Sequence, residues 1–158
     1  MRGRQALQEA RRAREFEAFV AGAAGRLLHA ATLLTAERPD DNPRARALLT
    51  GALAHTYATW DRPRGEDPYD RARRQVALRF VRGAWRHHRG HGGVLERLGP
   101  QERLILVLRM YEGVAEEQTA ALLGLTTERV RVTCARAIAR TLHPPRGPAP
   151  ELSGAAPS

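Results

Sequence analysis

The chain has 158 residues, 42% of them hydrophobic, and a formal net charge of +9 from 26 basic against 17 acidic side chains. That is enough for one medium domain or two small helical ones with a packed core. Cys134 is the lone cysteine, which excludes a disulfide-stapled scaffold and fits a reducing cytoplasm.

All 26 basic residues are arginine. Their planar, permanently charged forks suit phosphates and guanine edges, so the balance points to an anionic partner without naming it. The Arg-rich N-terminus leads into no continuous apolar run, and no stretch approaches the ~18–20 apolar residues of a membrane span. A soluble, cytoplasmic protein with no membrane span is expected.

In chain order, residues 1–14 read as a basic N-terminal extension. A first helix is expected from about Glu15 to Glu37, with Phe16, Phe19, Val20, Ala23, Leu27, Ala30 and Leu34 along one stripe. Pro39 and Pro43 break the pattern. Asn42 is placed to cap a second helix that has Pro43 in its first position. Leu49, Ala52, Leu53, Thr56, Tyr57 and Trp60 share a face of it. Asp61 to Pro68 is a polar turn. In a third helix Tyr69, Ala72, Val76 and Phe80 face inward, and Arg71, Arg74 and Arg82 outward.

Three glycines in the run Arg89-Gly90-His91-Gly92-Gly93 cannot hold a helix cheaply. A flexible linker is expected over 89–94, with a domain boundary there. Charge divides at the same place. Residues 1–93 hold 18 Arg against 10 acids, and residues 94–143 hold 7 against 6. Beyond the linker, Gly99-Pro100 precedes an apolar helix from Gln101 to Glu112, and Gly113 ends it. A short helix spans Glu116 to Leu123, with its acids favourable to the helix dipole. Then Gly124-Leu125-Thr126 makes a tight turn, and Thr126 caps a helix running from Thr127 to about Leu142. Residues 144–158 are rich in Pro, Gly, Ala and Ser and read as a disordered tail. The expected fold is all-α, with helical domains over 15–88 and 95–143.

The last three elements form a helix, tight turn and basic helix. Val130, Cys134, Ala137, Ile138 and Thr141 point to the core. Glu128, Arg129, Val132 and Arg136 lie opposite, flanked by Arg131, Thr133 and Arg140. Arginine, threonine and a small apolar side chain on one outward face suit the major groove of DNA. Elsewhere the chemistry is sparse. His87, His88 and His91 sit beside the hinge with no acidic or Cys ligand adjacent, and read as solvated or phosphate-contacting rather than as a metal site. Trp60 falls on an apolar stripe, while Trp85 among Arg82, Arg86 and His87 is placed for stacking. No pattern of an enzyme site or a cofactor site stands out.

From Leu98 through Arg131 the chain reads Leu-Gly-Pro-Gln-Glu-Arg-Leu-Ile-Leu-Val-Leu-Arg-Met-Tyr-Glu-Gly, then Val-Ala-Glu-Glu-Gln-Thr-Ala-Ala-Leu-Leu-Gly-Leu-Thr-Thr-Glu-Arg-Val-Arg. This resembles domain 4 of extracytoplasmic-function sigma factors. The N-terminal half resembles sigma domain 2 more loosely, through Phe16-Glu-Ala-Phe-Val, Leu33-Leu34-Thr35, Ala52-Leu53 to Tyr57 and Trp60, and Arg73-Arg74.

The resemblance implies a two-domain factor that binds promoter DNA and core RNA polymerase, with an anti-sigma factor as a further partner. It places the reading of the minus-35 element on Thr126, Thr127, Arg129, Arg131, Val132 and Arg136. It places polymerase docking on Leu48, Leu49, Thr50 and Leu53. One departure stands out. The family's polar docking segment, with Asp, Gln and Glu, is Ala47-Leu48-Leu49-Thr50-Gly51 here. A sigma-derived DNA-binding regulator with weakened polymerase docking is therefore the alternative reading.

Overall fold

A computed structural model describes residues 1–61 and 65–147. Among them are six α-helices and no strand: α1 (Arg2–Thr35), α2 (Pro43–Ala58), α3 (Pro68–Arg82), α4 (Pro100–Leu106), α5 (Glu116–Leu123) and α6 (Thr127–Leu142). A 3-10 turn, Ala84–His87, follows α3, and a π turn, Val107–Tyr111, continues α4. The all-α fold is as the periodicity predicts. The C-terminal tail falls mostly outside the described residues; its first part, 144–147, is exposed and without regular structure.

The first helix begins at Arg2 rather than near Glu15, so the basic extension is a continuation of α1, exposed as far as Arg11 and half-buried at Arg12 and Ala13. By length and composition α1 matches a membrane-crossing helix, contrary to the reading that no stretch comes close. Its apolar stripe has a partner, however. Ala23, Leu27, Ala30, Ala31 and Leu34 are buried against the other helices. Phe16 and Phe19 pack on Trp60 with centroids 5.3 and 5.4 Å away, which makes Trp60 part of that packing.

The start of α2 differs from the expected cap. Pro43 takes the first position, but the Asn42 side chain makes no cap bond; it donates to Thr32 Oγ1 and accepts from Arg46 Nε. The buried carboxylate of Glu37 does the capping, accepting the backbone N–H groups of Arg44 (3.1 Å) and Ala45 (2.8 Å). These are helix donors that no carbonyl inside the helix can reach. At α3, where the expected turn runs through Pro68, the side chain before the proline does cap the helix: Asp67 accepts from Tyr69 N and Pro68 takes the first position. Arg71, expected in solvent, instead donates to the carbonyl and hydroxyl of Thr59 at the end of α2.

The linker, expected to flex, is tied down. The N–H groups of His91 and Gly93 both donate to Ala36 O, at 2.8 and 3.0 Å. Gly93 is there for space: a Cβ on it would come within 2.5 Å of the Ala36 and Glu37 backbone. One continuous core then spans both halves, from Ala23 and Leu27 through Phe80 to Leu98, Leu104, Leu108 and Ala137.

Two polar knots cross the same junction. Arg103 is fully buried and donates to Leu98 O (3.1 Å), Leu34 O (2.6 Å) and His87 O. Glu112, also buried, accepts from Tyr69 Oη at 2.8 and 3.0 Å and faces Arg26 and Arg73, each 3.7 Å away. Burial and the adjacent carboxylate push the Tyr69 phenol well above its ordinary range. His87 is not solvated, as its place in an Arg-His run suggests. It is buried and stacked on Phe80, 5.0 Å between centroids.

Candidate nucleic-acid interface

A small second core holds α4, α5 and α6 together. Ile105, Ala120, Val130 and Cys134 are its buried members, with Leu123, Leu125 and Ile138 packed around them. Burial raises the Cys134 thiol above its ordinary value, so it stays protonated and acts as a small apolar side chain. The turn between α5 and α6 requires Gly124, whose φ of 65° is left-handed. The Leu125 N–H closes the α5 terminus on Ala120 O at 3.0 Å. Thr126 then caps α6, its hydroxyl accepting from Arg129 N at 3.1 Å.

With Val130 and Ala137 at the core, helical period turns Arg129, Val132 and Arg136 outward. Together with Thr126 they line a cleft of about 650 Å³ in front of α6, across from Pro100, Gln101 and Glu102 at the start of α4. His88 borders it from the linker side. Val132 is 49% exposed, an apolar side chain held in solvent among arginines.

The six expected DNA-facing residues divide into two groups. Thr126, Arg129, Val132 and Arg136 come together in the cleft. Thr127 and Arg131 are exposed on α6 but lie outside its lining. Arg131 turns toward α5 and pairs with Glu116 at 2.7 Å, a hydrogen bond that raises its pKa. Arg140 likewise braces α6 on α4 through Glu102 at 2.9 Å. Thr133, expected beside the outward face, is buried. His88, read as solvated or phosphate-contacting, borders the cleft, whereas Gln101 enters it from outside the helix-turn-helix, where spacing along α6 carries no trace of it.

On the N-terminal half, the four expected docking residues also separate. Thr50 is exposed on α2, Leu48 and Leu53 are half-buried, and Leu49 is buried in the core. Leu49 is therefore a packing residue, because it shares the inward face with Ala45, Ala52 and Thr56.

A capped basic helix after a tight glycine turn, set on a small apolar core with an arginine-lined outer face, defines a helix-turn-helix DNA-binding protein. Residues 94–140 match the family described as Sigma-70, region 4. The RNA polymerase sigma-E factor of Streptomyces coelicolor is 30% identical over 151 residues, covering 80% of this chain and 83% of that protein. The sigma-E factor of Streptomyces avermitilis is 29% identical, with 80% and 82% covered. No solved structure matches. The chain belongs to the sigma-70 family, as a member of the extracytoplasmic-function type, and so to the factors that direct RNA polymerase to promoters. Similarity over 80% of the chain takes in the N-terminal half as well as the helix-turn-helix, which disfavours a regulator that has kept DNA binding alone.

Proposed function

We propose that this sigma factor reads the minus-35 promoter element through α6, acting by binding and catalysing no reaction of its own. Thr126, Arg129, Val132 and Arg136 meet base edges and flanking phosphates, while Thr127 and Arg131 hold the adjacent backbone. The observation that carries this reading is the exposed Arg129–Val132–Arg136 face on a capped helix, bordering an open cleft. Arginine forks there match guanine edges or phosphates, and Val132 matches a thymine methyl.

The proposed functional units are 15–88, which engages core polymerase and the remainder of the promoter, and 95–143, which reads DNA, with 89–94 between them. Docking uses the outward side of α2 at Leu48, Thr50 and Leu53. A groove lined by Leu33, Leu95, Met110, Ile138 and Leu142 supports a further protein partner such as an anti-sigma factor, since Met110 and Leu142 are exposed apolar side chains. The proposed site of action is the cytoplasm, where core polymerase is found.

The test is transcription in vitro with purified core polymerase on a library of promoter fragments. The chain is expected to start transcripts from a subset sharing an upstream element, and Arg136→Ala to lose that selectivity. Initiation unaffected by Arg129→Ala and Arg136→Ala together would overturn the assignment of α6.

A further inference from the structure

A second groove, of about 430 Å³, lies between α2 and α3, apart from the α6 cleft. Ala47 and Leu48 line it beside Arg44 on α2, and Arg79, Arg82 and Arg86 line it from α3 and the turn after that helix. Spacings of three and four residues set the three arginines in one row along α3 and the turn after it, spanning roughly 10 Å.

Their charge is poorly offset. Among the described residues, the one carboxylate paired with any of the four is Glu37, 3.9 Å from Arg44. It is already engaged in capping α2. Arg79 lies flat on α2 over Gly51: a Cβ there would sit 2.9 Å from its Nη1. Its Nε is buried without a hydrogen-bond partner. Ala47 and Gly51, on the facing stretch of α2, bring no acid to the row, and Arg82 and Arg86 are exposed beside the half-buried Arg79.

We propose that this groove docks an acidic helical segment of a partner protein. Carboxylates three or four residues apart on one helix face match the Arg79–Arg82–Arg86 row. A fork–fork pair is the strongest contact such groups make. A small apolar residue between the carboxylates covers Ala47 and Leu48. Duplex DNA fits less well, because Arg79 is half-buried on the groove floor rather than raised to meet a convex phosphate backbone. The groove shares Leu48 with the proposed polymerase-docking side of α2, but the inference does not rest on that reading, and its test contains no polymerase.

The probe is an end-blocked, fluorescein-labelled helical peptide of 18 residues with glutamates three and four apart on one face, beside its glutamine counterpart. Fluorescence anisotropy with the full chain is expected to show binding of the glutamate peptide, at least ~10-fold weaker binding of the glutamine peptide, and loss of at least ~10-fold for Arg79→Gln/Arg82→Gln. The exposed pair Arg82→Gln/Arg86→Gln repeats the measurement without disturbing the half-buried Arg79. Affinity for a promoter duplex and the thermal midpoint are expected to stay as in the parent. Equal binding of the two peptides, or glutamate-peptide binding that survives both double variants, overturns the proposal. So does a parallel loss of duplex binding in both variants, which would make the groove a nucleic-acid surface, or displacement of the peptide by equimolar tripolyphosphate, which would make it a phosphate site.

Discussion

At the scale of single residues, arginine plays three separate parts in this chain, and its surroundings decide which. Arg129 and Arg136 face open solvent in the cleft. Each Ala substitution is expected to weaken promoter-duplex binding by about 1–3 kcal/mol where a base contact is lost. Arg131 starts from its bond to Glu116 and must give that up to reach DNA, so Arg131→Ala is expected to lose less. Anisotropy titrations of the three variants at one salt concentration check the ranking; three equal losses contradict it. Arg103 is the opposite case, fully buried on three carbonyls. In the sequence it looks like any other helix arginine, because its acceptors come from three distant segments. His87 was misread for the same reason. Burial, then the nearby Arg103, lowers its pKa below the usual 6.5. The folded state therefore prefers the neutral ring, and stability held above pH 6.5 is lost as pH falls from there through the lowered value. The thermal midpoint is expected to drop between pH 7.5 and pH 5, and to drop less in His87→Gln.

At the scale of elements, helix positions were legible and helix ends only partly so. Periods near 3.6 and the Gly124-Leu125-Thr126 turn were enough to place α5 and α6, since each signal is local. Pro43 marked the start of α2 correctly, whereas Pro68, assigned to the turn, is the first residue of α3. The cap of α2 escaped notice because Glu37 reaches it across a turn of intervening chain, and local rules look only at the neighbouring residue. Glu37→Ala is expected to destabilise the fold by about 2 kcal/mol, the upper end for a lost cap, because the freed N–H groups stay partly buried. Urea denaturation measures it; Asn42→Ala, by this account, removes no cap. The glycines of 89–94 were read for freedom where Gly93 serves close approach to Ala36. Sequence alone does not distinguish those two uses of the residue.

At the scale of the whole molecule, the two halves differ in charge as the sequence indicates but share one core and two polar knots. Only contacts far apart in sequence make that junction, which is why no motif announced it. Glu112 is its most exacting member, a carboxylate from the C-terminal half held by Tyr69, Arg26 and Arg73 of the N-terminal half. Glu112→Gln is expected to lower stability by roughly 1–3 kcal/mol, because a charge-assisted bond is lost in a buried setting. Calorimetry of the parent is expected to give a single cooperative transition, and the variant to broaden or divide it. The shared core also sets a toll on recognition. A partner that grips both halves in some other mutual placement meets only the small fraction of molecules already apart, and its measured affinity is its intrinsic affinity scaled by that fraction. At about 1% apart, binding looks about a hundredfold weaker than the interface itself would give. Substitutions at Arg103 or Glu112, far from any ligand, then tighten binding by raising that fraction, and promoter strength in this chain becomes partly a property of its interior.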